Sequence, residues 1–166
     1  MIQIINTEIS KNTNRKIIDN LFKVSTWGFG ADRILNTNIN IKDSGFHFNS
    51  LNFKHDILNT YADIIFDLVE NNTFMKFKKI DRIHWNWYHP GSDAKFHEDD
   101  FQDNKFSIIY NLHNNDGGTE FKINNEIKFY KSEESKALLF PSKIEHRGIA
   151  PKKDLNRFAL NIVLEI

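Results

Sequence analysis

The second half of this sequence is a succession of short, strand-like segments separated by turn residues, and no other feature restricts its fold as strongly. Apolar and β-branched residues are concentrated in segments at 79–88, 105–112, 118–123, 126–131, 136–140, 144–148 and 157–165. Asn124 and Asn125 separate two of these segments and predict a tight hairpin, because Asn tolerates the left-handed backbone that such turns require. Short strands bury their apolar faces by forming layers, so the pattern predicts a mainly β, two-sheet sandwich or jelly roll.

The first half predicts helices that would support this β region. Apolar residues at one-face spacing predict a short helix over 14–24 and a longer helix over 52–71. The apolar face of the longer helix, which is expected to pack against the outside of a sheet, consists of Ile57, Leu58, Tyr61, Ile64, Ile65, Leu68 and Val69. Residues 2–9 alternate weakly and predict a strand, whereas residues 25–50 predict a loop with a short strand.

The length of the chain predicts its domain organisation. With 166 residues and 40% hydrophobic content, the chain is long enough for one domain with a core and too short for two independent ones. We therefore expect a single α+β domain over 1–166. In this domain, residues 1–75 would support a β core formed by residues 76–166.

The composition excludes several classes of function. The 22 basic and 22 acidic residues give a formal net charge of zero, so the chain lacks the electrostatic footprint of a nucleic-acid-binding protein. Cysteine is absent, which excludes disulfides, thiolate zinc clusters and cysteine nucleophiles. No apolar run approaches the length of about 20 residues that a membrane span needs, and the N-terminus has no signal-peptide pattern. We therefore expect a soluble, cytoplasmic protein that does not act in a membrane.

Two histidines and an aspartate form the pattern that a mononuclear metal site requires. His97 and Asp99 are two positions apart, so in an extended segment both side chains point to the same face. Glu98 and Asp100 point to the opposite face, which leaves Asp99 as the predicted carboxylate ligand. His146, on a distant strand, supplies a second imidazole. Two histidines and one carboxylate make the facial triad of non-heme Fe(II) oxygenases, which leaves coordination positions open for other molecules.

The order of motifs around these residues resembles the 2-oxoglutarate- and Fe(II)-dependent dioxygenases, most closely their prolyl-4-hydroxylase-like branch. The family pattern runs Tyr, Gly, His-x-Asp, a hydrophobic strand, Gly-Gly with an acidic residue and Phe, a Phe-Pro turn, a second His, and then an Arg or Lys. The matching residues here are Tyr88, Gly91, His97, Asp99, the strand at 108–113, Gly117-Gly118-Thr119-Glu120-Phe121, Phe140, Pro141, His146 and Arg157. The match covers about half of the chain.

The resemblance implies a fold and a set of cofactors. The implied fold is a double-stranded β-helix, a form of jelly roll, braced by N-terminal helices. The implied metal is Fe(II), held by His97, Asp99 and His146, and the implied cosubstrates are 2-oxoglutarate and O2, with room for ascorbate as a reductant. A chain of this kind is expected to act as a monomer or a homodimer.

Arg157 is the residue that would separate an oxygenase from other metal sites. Its guanidinium can make two parallel hydrogen bonds to a carboxylate and stays charged at every relevant pH. It is therefore predicted to bind the distal 5-carboxylate of 2-oxoglutarate. Alternation along the last segment places Arg157 on one face with Ala159, Asn161 and Val163. The further predicted cosubstrate contacts are Tyr88, Asn111, Ile109 and Thr119.

The resemblance also implies a reaction, the hydroxylation of an unactivated C–H group, with a prolyl or other peptidyl side chain as the leading substrate. Prolyl hydroxylases usually carry a tryptophan six residues after the arginine, where this chain has Val163. That departure leaves a free amino acid or another small metabolite as the alternative substrate. The nucleic-acid demethylases of the superfamily carry a second arginine at the same place, so Val163 and the zero net charge argue against them.

Two other classes of function stay open at the level of sequence. A cupin-like metal isomerase or a zinc hydrolase would use the same three ligands, but it would leave Arg157, Gly117 and Gly118 without a role. A non-catalytic β-sandwich used for binding would need none of the metal residues. Replacing His97 by Ala separates this last class from the others, because loss of iron with retention of the fold supports catalysis.

Overall fold

The structure, a computed structural model, describes residues 1–25, 27–29, 46–49 and 55–166. Its strands are β1 (Gln3–Asn6), β2 (Gly28–Phe29), β3 (Phe46–Asn49), β4 (Lys79–Tyr88), β5 (Lys105–Asn111), β6 (Gly118–Ile123), β7 (Glu126–Lys131), β8 (Lys136–Pro141), β9 (His146–Ile149) and β10 (Arg157–Glu165). Its helices are α1 (Lys11–Leu21) and α2 (Asp56–Asn71). Every strand predicted after residue 76 is therefore confirmed, with bounds that differ by at most two residues.

The strands form two antiparallel sheets that face each other. The larger sheet has the order β1-β8-β5-β10-β4-β3-β2, and the smaller sheet has the order β7-β6-β9. Side chains from both sheets meet in an inner core that consists of Ile109, Phe121, Leu138, Phe140 and Ala159. This arrangement confirms the predicted mainly β jelly roll of the double-stranded β-helix type.

The hairpin predicted at Asn124 and Asn125 joins β6 to β7. Both residues have positive φ, +52° and +64°, and Ile123 lies opposite Glu126 across the turn. A two-residue loop with positive φ at both positions is the turn whose twist matches that of the flanking strands. The hairpin prediction is therefore confirmed, and the turn sets the register of the smaller sheet.

The α1 helix begins and ends three residues earlier than predicted. The hydroxyl of Ser10 accepts a hydrogen bond from the backbone N–H of Thr13 at 3.1 Å, so Ser10 caps a helix that begins at Lys11 and ends at Leu21. The predicted helix over 14–24 is thus displaced. Its start was missed because the first turn contains no apolar residue, and the prediction followed apolar positions alone.

The α2 helix packs against the outside of the larger sheet, as predicted, but with a narrower apolar face. It begins at Asp56, and residues 52–54 of the predicted helix lie outside the described residues. Ile57 and Ile64 are 52% and 44% exposed, so their predicted burial is wrong. The buried residues are Leu58, Ala62, Ile65 and Val69. Within the described residues, no helix combines the length and apolarity that crossing a membrane requires.

The loop predicted over residues 25–50 lies mostly outside the described residues. Its described strands, β2 and β3, extend the larger sheet. The register of β3 on β4 runs from Phe46 opposite Trp87 to Asn49 opposite His84. The predicted strand within residues 2–9 corresponds to β1, which pairs with β8 at the other edge of the same sheet.

The β10 strand has one apolar and one polar face, and the polar one matters for the site. Phe158, Leu160, Ile162 and Leu164 join the core beneath the helices. On β4, the residues opposite Arg157, Ala159, Asn161 and Val163 are Tyr88, Asn86, His84 and Arg82. Directly opposite residues share a face of the sheet. The inner face of β4 and β10, defined by these eight residues, is therefore polar along most of its length.

Candidate metal centre

The structure brings His97, Asp99 and His146 together at the smaller sheet. One ligand atom from each residue lies within 4.8 Å of the others. The segment that carries His97 pairs with β9, since the backbone N–H of His97 donates to the carbonyl of His146 and the reverse bond also forms, each at 2.9 Å. Opposed residues in an antiparallel pair share a face. Backbone pairing alone thus places the two imidazoles side by side.

Both histidines are oriented by backbone carbonyls. Nδ1 of His97 lies 2.9 Å from the carbonyl oxygen of Lys95, and Nδ1 of His146 lies 2.9 Å from that of Ile144. A carbonyl oxygen only accepts, so each Nδ1 carries the proton and each Nε2 presents a lone pair toward Asp99. Burial lowers the pKa of His146, which favours the neutral imidazole that binds metal ions.

Three strands of the larger sheet hold the carboxylate of Asp99. Ser107 on β5 donates to Oδ2 at 2.7 Å, and the Asn161 amide on β10 donates to the same oxygen at 3.0 Å. The Arg82 guanidinium on β4 forms an ion pair with Oδ1. Burial by itself raises the pKa of Asp99, but the histidines in their protonated form, the Arg82 guanidinium and Asn161 outweigh burial and hold the pKa well below its usual range. Asp99 is therefore an ionised, immobilised ligand.

The donor set fits a divalent transition metal. It consists of two neutral imidazole nitrogens and one ionised carboxylate, which suit Fe(II) as well as Zn(II). The side chains of Asp99 and His146 are each 2% exposed, whereas that of His97 is 46% exposed. The centre is consequently buried on one side and reaches solvent on the other.

Arg157 lies deep between the two sheets and is only 1% exposed. Its Nη2 donates to the hydroxyl of Thr119 at 3.2 Å, and its guanidinium lies 5.0 Å from the centre of the Tyr88 ring. Nε and Nη1 of Arg157 are buried and have no hydrogen-bond partner among the described residues. Burial lowers the pKa of Arg157, yet a guanidinium stays charged. The group is therefore prepared to bind an anion.

Gly148 allows Tyr88 to reach its place beside Arg157. A Cβ atom at Gly148 would overlap the hydroxyl and ring of Tyr88, so only glycine lets the phenol lie against β9. Burial raises the pKa of Tyr88, which keeps the phenol protonated and able to donate a hydrogen bond. Gly148 lies two residues after His146 in the sequence. Its role, however, depends on Tyr88 of the opposing sheet.

The remaining predicted contacts are all buried, but they differ in their neighbours. Ile109 is part of the inner core. Asn111 is 2% exposed, and its amide already has partners, because Oδ1 accepts from the Ser132 hydroxyl at 3.1 Å and Nδ2 donates to the carbonyl of Lys136 at 3.4 Å. Thr119 is in direct contact with Arg157. Of these three residues, Thr119 is thus the one placed at the guanidinium.

The side chains that hold Asp99 were not predicted from the sequence; they are Arg82, Ser107 and Asn161. A signal for Arg82 was present, since polar residues alternate with apolar ones along β4, the polar set being Arg82, His84, Asn86 and Tyr88. The intervening Trp85 is fully buried under the helices with Tyr110. These two aromatic side chains therefore belong to the core and do not line the site.

Comparison with known proteins establishes the fold. No protein-family model matches the sequence, and no curated protein matches it. The structure is similar to a prolyl-4-hydroxylase from Pseudomonas putida, with a TM-score of 0.75 and 11% identity over 99% of this chain and 92% of that chain.

Two further solved structures have the same fold. A prolyl hydroxylase in complex with a hypoxia inducible factor peptide fragment from Trichoplax adhaerens gives a TM-score of 0.72 and 13% identity, over 99% of this chain and 83% of that chain. HygX from Streptomyces hygroscopicus, with nickel, 2-oxoglutarate and hygromycin B bound, gives a TM-score of 0.73 and 9% identity, over 99% of this chain and 82% of that chain. At these identities the likeness concerns the fold alone.

Proposed function

We propose that this protein is a 2-oxoglutarate- and Fe(II)-dependent dioxygenase that hydroxylates an unactivated C–H group. The observation that carries the proposal is the combination of the metal triad with Arg157, a buried guanidinium whose Nε and Nη1 have no partner among the described residues. A zinc hydrolase or a cupin-like isomerase needs the triad and has no use for such a group. Solved structures with this fold include a prolyl-4-hydroxylase and HygX with nickel and 2-oxoglutarate.

His97, Asp99 and His146 would hold the iron, and their neighbours prepare them for this role. The two Nδ1–H groups are bound to carbonyl oxygens, so both Nε2 atoms are available without rotation of the rings. The carboxylate is ionised and fixed by donors from three strands. Bound iron would supply the centre at which dioxygen is reduced while 2-oxoglutarate is oxidised to succinate and carbon dioxide.

Arg157 and Thr119 would bind the distal carboxylate of 2-oxoglutarate. Two free nitrogens on a desolvated guanidinium match the two oxygens of a carboxylate, and the protonated phenol of Tyr88 lies next to them. The side chain of Ile109 would form an apolar wall of the 2-oxoglutarate pocket. Asn111 would support this wall through Ser132 and Lys136, since its own amide is already hydrogen-bonded.

Two substrate classes follow from this assignment. One is a prolyl or other peptidyl side chain, supported by the prolyl hydroxylase that shares this fold and was solved with a peptide. The other is a free amino acid or small metabolite, supported by HygX with hygromycin B bound. Nucleic acid is not proposed, because the net charge is zero. We further propose a cytoplasmic monomer or homodimer in which residues 1–75 support 76–166 as one domain.

Spectroscopy on the iron-loaded protein tests the proposal. Fe(II) and 2-oxoglutarate added under nitrogen should give the weak visible charge-transfer band of the chelate, and admission of air should then release succinate. The H97A variant, with its fold verified by circular dichroism, should give neither signal. If the wild-type protein binds the metal without forming the band, the zinc hydrolase and binding-protein alternatives replace this proposal.

A further inference from the structure

Arg82 and Arg157 lie at opposite ends of the inner face of β4 and β10. Arg157 lies opposite Tyr88, and Arg82 lies opposite Val163, which is roughly 20 Å further along β10 at the usual rise per residue. Arg157 is 1% exposed, whereas the side chains of Arg82 and His97 are 22% and 46% exposed. Within the part of the chain that the structure describes, the space between the sheets is therefore closed at Arg157 and open at Arg82.

The metal triad lies between these two arginines. Asn161, which precedes Val163 by one inward-facing position, donates to Asp99, and Arg82 contacts Asp99 from the open side. On the proposed function, 2-oxoglutarate held by Arg157 and by the metal would take the closed side. A substrate must consequently approach the metal from the side where Arg82 lies.

The charges at the site leave Arg82 without a counterion once the site is loaded. In the metal-free chain the guanidinium of Arg82 is neutralised by Asp99. The two positive charges of a bound Fe(II), together with Arg157, are matched by Asp99 and the two carboxylates of 2-oxoglutarate. The positive charge of Arg82 would then be unbalanced, and a partly buried cation without a counterion is unfavourable.

The acidic residues at the neighbouring strand ends are engaged by another cation. The acidic residues at the neighbouring strand ends, Asp81 and Glu165, bind Lys105 at 2.5 and 2.9 Å. Nε of Arg82 is buried and has no hydrogen-bond partner among the described residues. Arg82 thus has both an unused donor and, in the loaded site, an unmatched charge.

We infer that Arg82 binds a carboxylate of the substrate, and that the substrate is a small carboxylate-bearing molecule, in the simplest case a free amino acid. The inference rests on the proposed dioxygenase function and narrows its substrate class. Because Arg82 touches a ligand of the metal, a carboxylate bound to it lies next to the metal, and the carbon to be hydroxylated is a few bonds away. An internal residue of a peptide has no free α-carboxylate, so a peptide without Asp or Glu at that position cannot supply this contact.

Paired probes test this assignment. Free L-amino acids other than Asp and Glu, whose amides would keep a side-chain carboxylate, are each matched with the N-acetyl amide. Each compound is titrated under nitrogen into the Fe(II) and 2-oxoglutarate complex while the charge-transfer band is followed. Succinate is then measured after admission of air. At least one free acid should perturb the band and raise succinate formation, and its amide should do neither at tenfold higher concentration. If an amide acts as well as its acid, or if no acid acts on a protein that forms the band, the inference is wrong.

Arg82 variants connect the response to this residue. In R82Q, the acid concentration for half of the band change should rise about tenfold or more, because a charge-assisted pair is lost. R82K, which retains the charge near Asp99, covers the case in which R82Q fails to load iron, and it should show a smaller rise with the band intact. R147Q, on the outer face of the smaller sheet, is the matched control and should respond like the wild type. Unchanged half-effect concentrations in R82Q and R82K would overturn the inference.

The two proposals fail in different ways. Absence of the charge-transfer band in the wild-type protein would refute the dioxygenase function itself. A band that forms normally, with stimulation by blocked peptides and none by free acids, would leave the dioxygenase standing and refute only the role of Arg82.

Discussion

The two arginines on the inner face of β4 and β10 have the same functional group in opposite surroundings. Arg157 is buried with a hydroxyl and an aromatic ring as neighbours, whereas Arg82 is partly exposed and paired with Asp99. A buried guanidinium without a carboxylate is unfavourable. On the proposed function, a diacid would supply the carboxylate that Arg157 lacks, whereas a metal bound to Asp99 would take from Arg82 the carboxylate that it has. The same electrostatic rule would therefore select a different ligand at each end.

Removal of Asp99 should have the largest effect, because Asp99 is a proposed metal ligand and also neutralises Arg82. We expect D99A to bind no Mn(II) by isothermal titration calorimetry and to lose activity to background. The donors on Arg82, Ser107 and Asn161 would lose their acceptor, so the free energy of unfolding should fall by about 2 kcal/mol.

The control for this prediction is E98A, next in sequence and on the opposite face of the segment. It should bind Mn(II) with wild-type affinity. Equal Mn(II) affinity in D99A and the wild-type protein would show that Asp99 is not a ligand.

Replacing Arg157 by an apolar residue of similar length should separate ligand binding from stability. R157M should raise the KM for 2-oxoglutarate by roughly 100-fold, because a desolvated ion pair with the cosubstrate is lost. The same variant without ligands should unfold with a free energy about 1–3 kcal/mol higher than the wild type, because an unpaired buried charge has been removed.

The matched control is R147M, since Arg147 binds Glu120 on the outer face of the smaller sheet. Its KM for 2-oxoglutarate should be unchanged. Steady-state kinetics and urea unfolding measure the two effects. A ligand-free R157M that is less stable than the wild type would mean that Arg157 is satisfied without a diacid.

Removal of the Ser107 hydroxyl should lower the affinity for the metal without changing the binding of 2-oxoglutarate. S107A deletes one donor to Asp99, and such support of a ligand is typically worth about tenfold in metal affinity. Titration with Mn(II) should show this loss, with the 2-oxoglutarate KM at saturating metal unchanged. S142A, one hydrogen bond further from the carboxylate, should give a smaller loss. An effect of S142A as large as that of S107A would argue against direct support by Ser107.

The smallest effect on ligand binding is expected from substitution of Gly148, which alters the surroundings of Arg157 without changing a charge. A Cβ in G148A would displace the phenol of Tyr88, so the KM for 2-oxoglutarate should rise by about threefold and stability should fall by about 1–3 kcal/mol. In a Y88A background the overlap is absent, so G148A should then change the KM and the stability only slightly. Additive effects of the two substitutions would contradict the proposed contact.

The sequence predicted features that depend on one segment at a time. Alternation with a period of two identifies the buried side of a strand, and this is why the strands after residue 76 and the inward face of β10 were recovered. The apolar period of α2 was recovered too, but the burial of Ile57 and Ile64 was not. A helical pattern gives the direction of the apolar face, whereas its contact width depends on the sheet beneath it.

Arg157 and the spacing of His97 and Asp99 were thus accessible from the sequence alone, because side-chain direction within an extended segment follows from position. The partners of Asp99 were decided only by the tertiary structure. Arg82, Ser107 and Asn161 come from three separate strands. They meet at Asp99 because β10 pairs with β4 on one side and with β5 on the other. Strand order and register are set by burial of both cores together. Local sequence indicates which face of β4 carries Arg82, but it does not give the strand order that brings Arg82 to Asp99. The charge balance of the site could therefore not be derived before the fold was known.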